Sequence, residues 1–130
     1  MNPLPPYARL LDLRIVSNGD GPDGCDHVVM PFRDDVVGRP GFLHGGAIAG
    51  LLEFAAFSAL AKAVGQGSAT MKPVTITVDY MRGGVEKLGE TYAAARIERL
   101  GKRIANVESF AWQLDRSKPI AAARINFLLS

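Results

Sequence analysis

Cysteine is almost missing from this 130-residue sequence: Cys25 stands alone, so no intrachain disulfide can form and the fold must rest on its core in a reducing setting. Histidine is nearly as scarce. Neither His27 nor His44 has a second His, Asp or Cys at ligand spacing, so no metal and no other cofactor is expected. Excess charge is absent too, since 15 basic residues against 13 acidic leave a net +2, too mild to imply a nucleic-acid partner. With 48% hydrophobic and 22% charged residues, the composition excludes a disordered chain. The opening Met1-Asn2-Pro3-Leu4-Pro5-Pro6-Tyr7 lacks the basic and apolar segments of a signal peptide, so a cytoplasmic protein is expected. No repeat, low-complexity tract or internal boundary interrupts the chain, and residues 1–130 read as one domain.

What the sequence does have is one long apolar stretch, Gly45 to Val64, in which Glu53 and Lys62 are the only charges. Its Ala, Leu, Ile and Phe content predicts a helix buried on most of its circumference. The interrupting Glu53 and the glycines argue against a membrane span, which needs about 20 apolar residues. Two features of the helix call for an explanation. Desolvating an ionised Glu53 without partners costs several kcal/mol. At the head, Gly45 and Gly46 allow close approach to backbone N–H groups that have no intrahelical acceptor and carry a partial positive charge. Free donors at one end and an isolated acid inside point to an active site.

Around this helix the chain reads as strand. Tyr7 to Leu11 is one helical turn, and Leu11 to Val16 alternates in strand fashion before the turn chemistry of Asn18 to Gly24. A return strand, Cys25 to Phe32, completes a hairpin. Arg33 to Leu43 is loop, with Gly38, Pro40 and Gly41 blocking regular structure. Gly65 to Ser68 ends the helix. Beyond it, Val74, Ile76, Val78 and Tyr80 form one face of a strand that covers the helix, followed by strands at Glu90 to Leu100, Arg103 to Leu114 and Ile120 to Leu129. In the last, Ala121, Ala123, Ile125, Phe127 and Leu129 share a face. The expectation is an α+β domain: one long buried helix wrapped by a curved antiparallel sheet of about six strands.

That order, with Gly41-Phe42-Leu43-His44-Gly45-Gly46 and an acid nine residues after His44, resembles the hotdog-fold acyl-CoA thioesterases, especially the 4-hydroxybenzoyl-CoA and phenylacetate-pathway branch. Val74 to Arg82 is similar to that family's strand after the helix, and Arg99 to Arg103 to its hairpin. The resemblance implies that the Gly45 amide polarises a thioester carbonyl while Glu53 acts as base or nucleophile. His44 joins them as a catalytic candidate that either shapes the helix start or transfers protons. Gly46, Phe54 and Phe57 are candidates for the substrate site. Arg82, Arg99, Lys102 and Arg103 either meet the phosphates of coenzyme A or are solvated charges. The likeness also implies a small aromatic or medium-chain acyl group.

Eight residues of helix put Glu53 about 12 Å along the axis from Gly45, so one carbonyl cannot touch both in a single chain. Two antiparallel copies bring the pair together, and a homo-oligomer, a dimer or a dimer of dimers, is expected. The sequence departs from the family at two helper positions. Where related enzymes often carry Asn or Gln six residues before the histidine, it has Gly38. Where they carry a water-holding hydroxyl, it has Phe57 or Pro73, leaving Ser58, Ser68 or Thr70 as substitutes. Rival expectations are an acyl hydratase or dehydratase and a non-catalytic acyl-CoA-binding protein on the same scaffold.

Overall fold

In the computed structural model, described for residues 4–17, 26–65 and 70–130, the elements run α1 (Pro6–Leu10), β1 (Arg14–Val16), β2 (His27–Met30), α2 (Gly45–Val64), β3 (Met71–Tyr80), β4 (Thr91–Leu100), β5 (Ile104–Trp112) and β6 (Ala121–Leu129). The turn expected at Asn18 to Gly24, Cys25, and the helix-ending residues Gln66 to Ser68 lie outside the described residues. The six strands form one antiparallel sheet in the order β1-β2-β4-β5-β6-β3. This is the expected α+β architecture, with one long central helix packed on the sheet.

Alternation decides which side chains meet the helix. Ala93 and Ala95 of β4, Ala105, Val107 and Ala111 of β5, and Ala121, Ala123, Ile125 and Phe127 of β6 all join the buried core. So many alanines bring backbone close to backbone, and the bulk comes from the helix: Ile48, Leu51, Leu52 and Leu60 fill the interface, the last three with no exposed surface. Burying side chains of this size stabilises by about 1.5–3 kcal/mol each. Gly65, at φ +81°, closes α2 in a backbone conformation that suits glycine.

Two expectations need correction. The helix is not buried on most of its circumference: Gly50, Glu53 and Phe54 are half-buried and Phe57 is exposed, because the sheet packs along one flank while the N-terminal segment around α1 and the Pro73 end of β3 reach the other. By length and composition this helix is also apolar enough to cross a membrane, a test that core helices of soluble proteins pass as well. The second correction concerns β3. Its register shifts between Pro73 and Thr75, so Met71, Pro73, Ile76, Val78 and Tyr80 face the helix side, opposite Leu129, Phe127, Ile125, Ala123 and Ala121. Val74 drops out of the set as the bulged residue. A proline is tolerated there because β3 is an edge strand with no neighbour on its outer side. The strand therefore leaves Val74 52%, Ile76 40% and Tyr80 53% exposed instead of covering the helix throughout.

The segment expected as loop before α2 is more ordered than its glycines imply. Asp34–Val36 forms one 3-10 turn, and single antiparallel bridges join Val37 to Leu43 and Phe42 to Val85. At the other edge of the sheet, Arg14 forks onto Glu90 at 2.8 and 3.1 Å. That bond holds the Glu90 carboxyl below the usual carboxylate range, so its contribution is present at neutral pH and fades as pH falls through the lowered value.

Gln113, buried just past β5, holds the β3–β4 connection: its amide nitrogen donates to the Val85 and Gly89 carbonyls at 3.0 and 3.3 Å, and its oxygen accepts from Val85 N–H at 2.9 Å. Replacing Gln113 by Leu would strand those backbone groups. A loss of about 1–3 kcal/mol in urea unfolding is expected.

Candidate active site

The head of α2 is fixed from several directions. Leu43 N–H donates to the Gly84 carbonyl at 2.9 Å and His44 N–H to the Val36 carbonyl at 2.8 Å. His44 is the N-cap: its Nδ1 accepts from Gly46 N–H at 2.8 Å, which places the ring proton on Nε2. The His44 carbonyl accepts from Ala47 and Ile48 N–H. From β3, the Tyr80 hydroxyl donates to the Gly45 carbonyl at 2.8 Å, its ring in ordinary contact, 3.4–3.5 Å, with the place a Gly45 Cβ would take. In this first turn every N–H but one therefore has an acceptor among the described residues. The exception is Gly45, whose peptide neighbours on both sides are held.

Gly46 and Gly38 leave little room for a side chain, for different reasons. A Cβ on Gly46 would lie 2.9 Å from His44 Nδ1 and expel the cap. A Cβ on Gly38 would come within 3.1 Å of His44 Cα, which puts the family's usual amide-bearing position directly against the helix head.

Glu53 lies on the open flank of α2 and lines a cavity of about 280 Å³ with Phe54, Phe57, Gly50, Pro73 and residues of the N-terminal segment, among them Tyr7 and Leu13. No basic side chain lines it. The carboxylate has no hydrogen bond or ion pair among the described residues, and its setting is otherwise apolar. An acid in this position can take a proton or attack a carbon, because nothing among the described residues competes for its oxygens.

Phe54 and Phe57, expected beside the acid, share this cavity with it. The four cations do not come together in one chain. Arg82 follows β3 at the Tyr80 end, beside the helix head, whereas Arg99, Lys102 and Arg103 sit at the β4–β5 hairpin, whose strands pair toward Leu128 and Met71 at the other end. All four are exposed and unpaired in ion pairs among the described residues. Of the substitutes for a missing hydroxyl, Ser58 lines a separate hollow with Asp26, Val28 and Lys62, Thr70 is exposed before β3, and Ser68 lies outside the described residues. Trp112 stacks on Tyr92 beside His27, apart from the cavity. No group of three His, Cys, Asp or Glu among the described residues is placed to hold a metal.

Tyr7 and Gly50 escaped the sequence reading. A glycine inside a helix costs about 1 kcal/mol relative to alanine, and that cost was the available signal of a close approach. Here the approaching group is the Tyr7 ring, with Cε2 2.6 Å from where a Gly50 Cβ would stand.

Residues 40–120 match the family model described as the Thioesterase superfamily. Among solved structures, the BH2602 protein of Bacillus halodurans, determined with CoA, superposes with a TM-score of 0.85 at 20% identity, covering 100% of this chain and 82% of the other. A phenylacetic acid degradation-related protein from Ralstonia eutropha gives 0.81 at 20% identity, with 98% and 92% covered. A protein from Chromobacterium violaceum is 34% identical over 96% of this chain and 83% of its own, with a TM-score of 0.75. A search of curated proteins returned no match.

Replacing His44 by Ala should remove the cap and cost about 1 kcal/mol in urea unfolding, whereas Asn, a preferred N-cap, should restore most of the loss. With its helix head and acid set on the expected scaffold, and with the family model spanning most of its length, the chain belongs to the thioesterase superfamily of hotdog proteins.

Proposed function

We propose that this protein is an acyl-CoA thioesterase that hydrolyses a small aromatic or medium-chain acyl-CoA to the free acid and CoA, working as a homodimer with residues 1–130 of each copy as one catalytic domain. The observation that carries this is a separation. The one open N–H of the helix head and the unpartnered carboxylate of Glu53 lie about 12 Å apart along one helix, too far to serve one carbonyl.

An antiparallel pairing of two α2 helices resolves it, since Gly45 of one copy then stands level with Glu53 of the other and closed symmetry makes two such sites. Two features favour that pairing. The flank of α2 that carries Glu53 is left uncovered by its own sheet, and β3 offers a ten-residue unpaired edge with Val74 and Ile76 exposed.

In the shared site the thioester oxygen accepts from Gly45 N–H, where the helix head stabilises the negative charge that builds on oxygen. Glu53 takes a proton from water as the water oxygen attacks, or attacks the carbonyl carbon itself to form a mixed anhydride that water then opens. The carbon–sulfur bond breaks and the thiol leaves. An apolar cavity with one carboxylate and no cation suits an uncharged acyl group and disfavours one bearing a second carboxylate. CoA as carrier follows the Bacillus halodurans neighbour, determined with that molecule. Arg82 of one copy and the Arg99 to Arg103 hairpin of the other lie at ends that the antiparallel pairing brings toward each other, a placement suited to its phosphates.

A panel of acyl-CoA thioesters assayed for free thiol tests the proposal, with double-bond absorbance followed in parallel. Thiol release is expected, and replacing Glu53 by Gln should lower kcat by about a hundredfold or more with the fold intact. Hydration without thiol release, or full activity in the Gln variant, refutes it. Sedimentation should find a dimer or a dimer of dimers, and a monomer would remove the shared site.

A further inference from the structure

A water that meets a thioester carbon beside Glu53 needs a second hydrogen-bond partner, because one carboxylate oxygen leaves its orientation free. The chain lacks a hydroxyl at both places where the family often carries one: Phe57 stands one turn past the acid and Pro73 in the following strand, and both line the cavity without a polar atom to offer. Ser58 turns to the other flank of the helix. Among the residues lining the Glu53 cavity, Tyr7 alone carries a hydroxyl.

The position of that ring is set by contact. Gly50 leaves bare backbone one turn before Glu53, and the Tyr7 ring lies on it, with Cε2 and Cζ 2.6 and 3.4 Å from where a Cβ would stand. Tyr7, Gly50 and Glu53 line the same cavity, and the general lean of helical side chains toward the N-terminus directs Glu53 toward the turn of Gly50, on which the phenol ring lies. The Tyr7 hydroxyl has no hydrogen-bond partner among the described residues. Its backbone is secured: the Tyr7 carbonyl accepts from Leu11 N–H at 3.0 Å within the close of α1.

We infer that the Tyr7 phenol is the group that holds the attacking water at Glu53, being the one hydroxyl that this chain's described residues bring to the cavity. The inference rests on the thioesterase reading. The water donates one hydrogen to Glu53 and the other to the phenol oxygen, which leaves a lone pair directed at the thioester carbon. As the carbon–oxygen bond forms, the water proton passes to Glu53 and the carbonyl electron pair moves to the oxygen held by Gly45 N–H of the other copy. Collapse then breaks the carbon–sulfur bond, and the proton on Glu53 goes to the departing thiolate. Tyr7 exchanges no proton on balance. If Glu53 attacks first, the same phenol holds the water that opens the anhydride.

Replacing Tyr7 by Phe removes the hydroxyl and keeps the ring on Gly50. For the best thioester of the panel, kcat should fall at least tenfold while KM stays within twofold and the melting temperature is unchanged. Combining Tyr7→Phe with Glu53→Gln separates positioning from packing, because a water no longer activated gains nothing from being held. The double variant should be no slower than Glu53→Gln alone. A kcat within twofold of the unaltered protein in Tyr7→Phe overturns the inference and leaves the thioesterase reading in place. An equal loss in both backgrounds also overturns it, because it marks an effect independent of the acid. Absence of turnover in the unaltered protein overturns both.

Discussion

The structure depends on how closely one apolar helix can lie against a sheet. The inner surface of β4, β5 and β6 is made largely of alanine, so α2 settles near the strand backbones, and Ile48, Leu51, Leu52 and Leu60 supply the bulk between them. That contact buries one flank of the helix and fixes its height and direction. Everything chemical then follows from position. The head of α2 reaches Tyr80 and the loop at Gly84, and its opposite flank is turned outward with Glu53 on it.

The head and the flank are built on contrasting principles. At the head, polar groups are satisfied one after another until a single N–H is left over, and the hydrogen bonds around it spend their strength on direction. At the flank, nearly everything polar has been removed, so that a carboxylate faces phenylalanine, proline and glycine. A donor aimed by a rigid frame and an acid without a partner among the described residues are the two halves of the proposed hydrolytic site, which the proposed two-fold would join.

The helix limits were legible in the sequence because a twenty-residue apolar run between His44 and Gly65 carries its own start and stop. The strands were legible because Ala121, Ala123, Ile125 and Phe127 alternate cleanly. On β3 the expected Ile76, Val78 and Tyr80 do face the helix side and Val74 alone was misplaced, since a bulge there changes the parity midway; Pro73 beside it was the available signal. The helix looked buried on most of its circumference because its composition is equally apolar on both flanks, and composition does not say which flank the chain's own sheet covers. Glu53, Gly45 and His44 stood out as single oddities in a regular pattern. Tyr7 did not, since an aromatic in a short N-terminal turn is ordinary until tertiary structure lays it on Gly50. That Arg82 and the Arg99 to Arg103 hairpin lie at opposite ends of the sheet was not legible, because nothing in the linear order says so.

The alanine floor beneath the helix has one more consequence. Each of those methyl groups acts as a spacer, and the distance it sets is inherited by every atom at the helix tip. Growth of Ala93, Ala111 or Ala121 to valine would cost about 1–3 kcal/mol in crowding. The larger effect would be mechanical: a rod jacked up from its bed would draw the glycine tip off the tyrosine that steadies it. Residues with no chemistry of their own thereby set where the head of the helix stands.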